Sequence, residues 1–351
     1  MKAILLLGGL GKRLRPFTLT TPKPLLPIVN KPFIYFQFSL LKKYNINEII
    51  LGIGYKKDQF EKAIKIGRDI GLKVFLSFDK FPLGTGGGIK NASKFLKGEE
   101  PFFVFNGDVL ADFNLEKILK FHYEKKSYVT IVSTKVIDPS SYGLILTDEN
   151  MKIKKFIEKP KKEEIITDKI NAGVYIFNPD VLNKIPEKKE VSLEKEIFPK
   201  ILNEGKEIYT YVHYGYWLDV GTIENYKKAN FDLLNARINI GHDISQPQIF
   251  NKEKCFVSDD IKVNGKLVMD NNTVIDKKVL IEGNVIIGEN CYIANNCYIK
   301  DSIIFENTLI HKNTEIINSI IGKNVSIGEN CKLKESIIPD KTKIYDFTFM
   351  K

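Results

Sequence analysis

The sequence predicts an α/β chain, a Rossmann-like and mostly parallel sheet domain followed by a parallel β-helix. Two periodicities predict it. Residues 1 to about 235 alternate short apolar runs with helical patterns, and beyond them an apolar residue recurs at every sixth position. The length of 351 residues is enough for two separate cores.

The elements follow in order. "KAILLLG" reads as a buried strand, "KPFIYFQFSLLKKYNI" as a helix, "NEIILGIGY" as a strand, "KDQFEKAIKIGRDIG" as a helix and "KVFLSF" as a strand. A helix is expected after "LGTGGG", then the strand "PFFVFNGD", the helix "NLEKILKFHYEKK" and the strand "YVTIVST". Repeated β-α-β order argues a mostly parallel sheet covered on both faces, with ligands at the carboxyl ends of its strands. After the helical "TIENYKKANFDLLNA" the texture changes. Val257, Val263, Met269, Ile275, Ile281, Ile287, Ile293, Ile299, Phe305, His311 and Ile317 fall every sixth residue, and the series resumes at Ile321, Ile327 and Leu333. Such a hexapeptide period is the mark of a parallel β-helix, whose stacked coils bury what one coil cannot. The expected division is 1–235 for the sheet domain, 236–252 for a linker and 253–345 for the repeat.

Composition excludes several classes. No run of apolar residues is long enough to span a bilayer, and the apolar start lacks a secretion cleavage site, so the expected compartment is the cytoplasm, with no membrane partner. The formal charge of +10 comes almost entirely from dispersed lysine alternating with glutamate, a compositional habit shared with heat-adapted proteins and not a nucleic-acid patch. Only Arg13, Arg15, Arg68 and Arg237 are arginines, and two of them fall in one short loop. The cysteines Cys255, Cys291, Cys297 and Cys331 lack metal-ligand spacing and read as buried thiols of the repeat.

That short loop, "GGLGKRLRPFTLTTPKPLLP", matches neither the Walker nor the dinucleotide glycine pattern. Gly8, Gly9 and Gly11 allow backbone N–H groups close approach to a phosphate chain. Pro16, Pro22, Pro24 and Pro27 forbid a continuous helix and are expected to hold the segment extended, so that Arg13 and Lys23 reach one anion from two directions. Asp108 in "VFNGDV" and Asp219 in "GYWLDVGT" are strand-end carboxylates, the donor set that Mg²⁺ takes with water and phosphate oxygens completing its shell. "FIEKP" and "INAGVYIF" add Glu158, Lys159 and Asn171, suited to sugar hydroxyls and a phosphate.

In that order, "GGLGKRLRP…PKPLLP", "LGTGG", "NGD", "YG", "EKP", "NAG" and "WLDVGT" resemble the sugar-1-phosphate nucleotidyltransferases, and with the hexapeptide tail the chain looks like the mannose-1-phosphate guanylyltransferase type. The resemblance implies that Gly8, Gly9, Gly11 and Lys12 wrap the nucleotide, that Arg13 and Lys23 are catalytic contacts to its phosphates, and that Leu83, Gly84 and Thr85 face its base. Gly143, Glu158 and Asn171 would hold the sugar, Lys159 its phosphate, and Asp108 and Asp219 the Mg²⁺ cofactor. It also implies a left-handed β-helix that joins copies into a homo-oligomer. Lys12 stands where the family loop usually has Thr or Ser, which adds a cation. "LGTGGGIK" also resembles heptose-1-phosphate guanylyltransferases, and thymidylyl-, uridylyl- or adenylyltransferases acting on glucose 1-phosphate share the motifs. Two other classes are weighed: a catalytically silent subunit on the same scaffold, disfavoured because Arg13, Lys23, Asp108 and Asp219 are all present, and acyl transfer in the tail, which is not expected. The latter needs a catalytic histidine, and His311, the histidine of the repeat, reads as a core or coil-edge residue.

Overall fold

The computed structural model describes residues 1–96, 98, 100–238, 248–249 and 254–351. These divide into two compact units: Met1–Leu10 with Ile34–Asp219, and Gly11–Phe33 with Val220–Lys351. The division does not follow chain order. The proline-rich loop belongs with the repeat, not with the sheet between whose first two strands it is threaded. Most of the linker expected at 236–252 lies outside the described residues.

The first unit is built on a nine-stranded sheet. Its strands are β1 (Lys2–Leu6), β2 (Glu48–Ile53), β3 (Lys73–Phe78), β4 (Phe102–Asn106), β6 (Val129–Lys135), β7 (Leu144–Thr147), β8 (Ile153–Ile157), β9 (Lys169–Phe177) and β10 (Ile208–Val212). The path β8-β7-β9-β4-β1-β2-β3 is parallel from β4 to β3, while β6 pairs with β9 and β10 off that path. The nonpolar runs of β1, β2 and β4 explain the parallel half, since strands covered on both faces need not alternate. Beyond β4 the sheet is mixed, because β9 runs antiparallel to both β4 and β6.

Helices cover both faces. Ile89 of α3 (Gly84–Ala92) and Phe198 of α5 (Phe198–Asn203) join Ile4, Val104, Val129 and Ile131 in one buried cluster. Thr130, between those last two on the opposite face, meets His122 of α4 (Leu115–Glu124) at 2.8 Å. The helix α1 (Phe33–Lys43) and α2 (Glu61–Asp69), after a 3-10 turn at Lys57–Phe60, complete the β-α-β order that the sequence predicts. A separate ribbon of two strands, β5 (Val109–Ala111) and β11 (Trp217–Asp219), follows the end of β4.

The second unit holds α6 (Ile223–Leu234) and stacked parallel coils from Phe256–Val257 to Phe349–Met350. Ile275, Ile281, Ile287, Ile293 and Ile299 line its core as the hexads predict. Each fully buried aliphatic side chain there stabilises by roughly 1.5–3 kcal/mol relative to exposure. The later coils depart from the period, each by one residue. The core residues after Ile299 are Ile304, Ile310 and Ile316, so Phe305, His311 and Ile317 fall one position outward. The cause is coil length: the first coils repeat at 18 residues and the later ones at 17. The shortened corner is turned by Asp301, Asn318 and Glu335, all in the left-handed region. Asparagine dominates the other corners because it tolerates that conformation, and its exposed amides stack as ladders, Asn272 to Asn290 to Asn307 and Asn296 to Asn313 to Asn330, each bond at 3.1 or 3.0 Å. Cys291, Cys297 and Cys331 are buried free thiols, as read from the sequence.

Among the described residues no helix is long and apolar enough to cross a membrane.

Candidate active site

In the first unit, chemistry gathers at strand ends. β4 runs into "NGD", and Asp108 emerges half-buried from the turn. The register of the small ribbon places Asp219 opposite Val109, so Asp108 and Asp219 are offset by one residue across paired strands. Two carboxylates distant in sequence thus share one ribbon end. Trp217, two residues before Asp219, donates its indole N–H to the Ala172 carbonyl at 3.0 Å and packs edge-on against Tyr142 at 5.5 Å. The "YG", "NAG" and "WLD" motifs are therefore one physical cluster.

Gly143, Glu158 and Asn171 are brought together. The Asn171 amide donates to the Gly143 carbonyl at 2.8 Å, and a β-carbon on Gly143 would lie 2.8 Å from Glu158 Oε2. Burial raises the Glu158 carboxyl above its ordinary range, the neighbouring Glu194 charge adds to that, and Lys159 and Lys195 oppose it. Lys159 itself is exposed, with φ 52.

The "LGTGGG" motif departs from expectation, for the helix begins inside it at Gly84 and not after it. Gly84 has φ +67, and any β-carbon there would lie 2.5 Å from the Val191 carbonyl oxygen. Helix α3 can start in this tight place because its glycines let the Gly86 amide donate to Val191 O at 2.8 Å. The Thr85 hydroxyl is engaged internally. It accepts from the Leu193 amide at 2.9 Å and donates to Glu194 Oε2 at 2.9 Å. Ser192 also donates to Glu194 at 2.9 Å, and Tyr175 reaches its other oxygen at 3.4 Å while accepting from Asn171 at 2.7 Å. Glu194 therefore joins the residue read as facing the base, Thr85, to the one read as holding the sugar, Asn171.

Sequence reasoning missed Glu194, and it missed Asp79. Asp79 follows β3, is 8% exposed, and accepts from Asn91 Nδ2 at 2.7 Å. Burial raises its carboxyl above the ordinary range against the opposing effects of Asn91 and Lys94. "FDKF" carries no spacing signal for such a group; only its burial does.

In the second unit the proline-rich loop corrects a further expectation. It is not held extended but folds into three 3-10 turns, Lys12–Leu14, Phe17–Leu19 and Lys23–Leu25. Prolines fit because Pro16 and Pro22 sit where only a carbonyl is needed, accepting from Leu19 at 3.0 Å and Leu25 at 2.8 Å. Gly11 has φ +60, and its carbonyl accepts from the Thr18 hydroxyl at 2.8 Å. Gly9 has open space where a β-carbon would be. Lys12 and Arg13 are exposed, whereas Lys23 is only 8% exposed, a rare state for lysine.

Comparison with known proteins supplies the lineage. The Nucleotidyl transferase family model matches residues 2–236, and the GMPPB C-terminal domain model matches 263–351. Mannose-1-phosphate guanylyltransferase catalytic subunit beta of Drosophila melanogaster is 44% identical over 222 residues, 63% of this chain and 59% of that protein. Mannose-1-phosphate guanylyltransferase of Mycobacterium tuberculosis is 41% identical over 235 residues, 67% of this chain and 65% of that protein. The alignments thus span about three fifths of these curated relatives. Among solved structures, HddC from Yersinia pseudotuberculosis superposes with TM-score 0.58 at 30% identity, covering 66% of this chain and 99% of that one. UDP-glucose pyrophosphorylase complexed with UDP-glucose shares the fold, with TM-score 0.59 at 24% identity, over 67% of this chain and 98% of that one. Matched over well more than half of its length, the chain belongs to the Nucleotidyl transferase family.

Proposed function

We propose that this chain transfers the guanylyl group of GTP to mannose 1-phosphate, giving GDP-mannose and pyrophosphate. The observation that carries the reading is the clustering of Gly143, Glu158 and Asn171 beside the "WLD" strand that bears Asp219, a polar, acceptor-rich group suited to a sugar. The relatives named mannose-1-phosphate guanylyltransferase favour this sugar and base over the heptose, thymidylyl, uridylyl and adenylyl readings.

The chemistry needs no side-chain nucleophile. An oxygen of the sugar phosphate, already anionic, attacks the α-phosphorus in line; one P–O bond forms as the bond to pyrophosphate breaks. Catalysis is then positioning and charge neutralisation. Arg13 and Lys23 supply fixed cations for the phosphates, and Gly8, Gly9, Gly11 and Lys12 supply N–H groups and charge. Asp108 and Asp219 are hard oxygen donors on neighbouring strand positions, a set that fits Mg²⁺, and they would hold it. When bound, the ion supplies further neutralisation of phosphate charge. Glu158 and Asn171 orient the sugar, with Lys159 at its phosphate. We also propose that copies associate through the repeat.

A matrix of nucleoside triphosphates against mannose, glucose and heptose 1-phosphates, scored by pyrophosphate release, tests the reading. The expected result is turnover confined largely to GTP with mannose 1-phosphate. Binding without release for every pair would favour the silent subunit.

A further inference from the structure

We propose that Phe305, on the outer face of a β-helix coil, is a positioning residue for the loop that carries Arg13 and Lys23. The coil shift that moves Phe305 out of the core should leave a large aromatic in water, yet it is only 2% exposed. What covers it is the loop. The ring of Phe17 packs on Phe305 with centroids 5.1 Å apart and is itself 1% exposed. Tyr226 of α6 closes the other side, edge-on at 6.3 Å, and donates its hydroxyl to the Pro27 carbonyl.

Polar contacts extend the same brace. The Val29 amide donates to buried Asn230 at 2.8 Å, the Asn30 side chain donates to the Ile287 carbonyl at 2.8 Å, and Thr20 donates to Asp340 at 2.5 Å. Phe17 lies between the turns that carry Arg13 and Lys23 and next to Thr18, whose hydroxyl fixes the Gly11 carbonyl. Each 3-10 turn closes on itself, with Leu14, Arg15, Leu19, Leu25 and Leu26 donating to carbonyls three residues back, but the turns are short, so how they are set against one another depends on what they pack against. Aromatic pairs of this kind combine large burial with directional contact. The placement of the turns is therefore shared between these polar contacts and the repeat, with Phe305 as the aromatic anchor under Phe17.

The kinetic consequence rests on the proposed transferase reading, but the brace itself does not. The test is hydrogen exchange of the full-length protein without ligand, for wild type, Phe305→Ala, Phe305→Leu and the outward control His311→Ala. Exchange at residues 11–25 is expected to rise about tenfold or more in Phe305→Ala, less in Phe305→Leu, and not in His311→Ala. In pyrophosphate release, Phe305→Ala is expected to raise KM for the nucleotide about tenfold while KM for the sugar phosphate stays unchanged. A purely structural role would instead lower the active fraction and leave both KM values in place. Unchanged exchange at residues 11–25 in Phe305→Leu and Phe305→Ala overturns the brace, and a loss of active fraction alone overturns its role in positioning the loop for the nucleotide. Should wild type release no pyrophosphate, the transferase reading falls, and the exchange comparison still decides the brace.

Discussion

A buried lysine is costly unless its charge is used, and Lys23, 8% exposed within a 3-10 turn, is the residue where burial and motif agree. Lys23→Ala is expected to lower kcat by about 10²–10³-fold, the range for losing one preorganised electrostatic contact. The melting temperature should stay near that of wild type; a large fall would assign Lys23 to packing instead. Asp79 is the contrasting case. Its motif value in sequence is nil, because "FDKF" lacks the motif context that singles out Asp108 and Asp219, and only the fold shows it buried at the end of β3. A carboxylate offers two acceptors, the complement of the adjacent N1–H and N2–H donors of guanine. Asp79→Asn keeps an acceptor for Asn91 and replaces the other oxygen by a donor. Discrimination between GTP and other triphosphates is therefore expected to fall by at least about tenfold, and an unchanged ratio of kcat/KM values would remove Asp79 from base choice.

Between residues and domains, the Glu158 and Glu194 pair makes a pH-dependent element. Glu158 is raised first by its burial and then by the neighbouring charge of Glu194. The ionised form is the better acceptor for sugar hydroxyls, so kcat/KM for the sugar phosphate should rise with pH through a limb above the ordinary glutamate range. Replacing the neighbour by Glu194→Gln removes a like charge, and that limb should move to lower pH. A limb that stays in place in this variant would show that another group titrates. For stability the sign is opposite: a carboxyl raised in the folded state binds its proton more tightly there, so its contribution is present below the unfolded value and is lost as pH rises through the folded one. Elements of this kind were only half legible beforehand. "EKP" and "NAG" announce themselves by residue type, and the structure joins them through the Asn171 amide and Gly143. Glu194 stands in "SLEKEIF", a pattern indistinguishable from a solvated helical turn, and its role comes from hydrogen bonds to Thr85 and Tyr175, far away in sequence. The sheet strands were legible because apolar runs have a period. The coils of 17 residues were not, since one residue lost at a corner leaves the apolar pattern looking continuous through residue 317 while turning Phe305 outward.

At the scale of the whole molecule, the division into units cuts across the chain: the loop read as catalytic belongs to the unit of the repeat. Sequence order could not reveal this, because motifs report chemistry and not what a loop rests on. The buried cysteines make the consequence measurable. Burial raises the Cys291 thiol to about 12 and the Cys297 thiol to about 11, and both donate to carbonyls of the next coil, Phe305 at 3.2 Å and His311 at 3.2 Å. Thiolate is the reactive form, so in the native protein a thiol reagent at neutral pH should modify Cys255 first and leave these two unreacted. Coils of a solenoid depend on their neighbours, so opening around residue 305 should expose the Cys291 sulfur and release Phe17 in one event. Under increasing denaturant, the labelling of Cys291 and the loss of pyrophosphate release are therefore expected to share one midpoint. Residual secondary structure of the sheet, followed by circular dichroism, is free to persist beyond that midpoint. Activity lost well before Cys291 reacts would mean that the loop opens independently of the coil on which it lies; activity surviving after the thiol has reacted would mean that the repeat is dispensable for the chemistry.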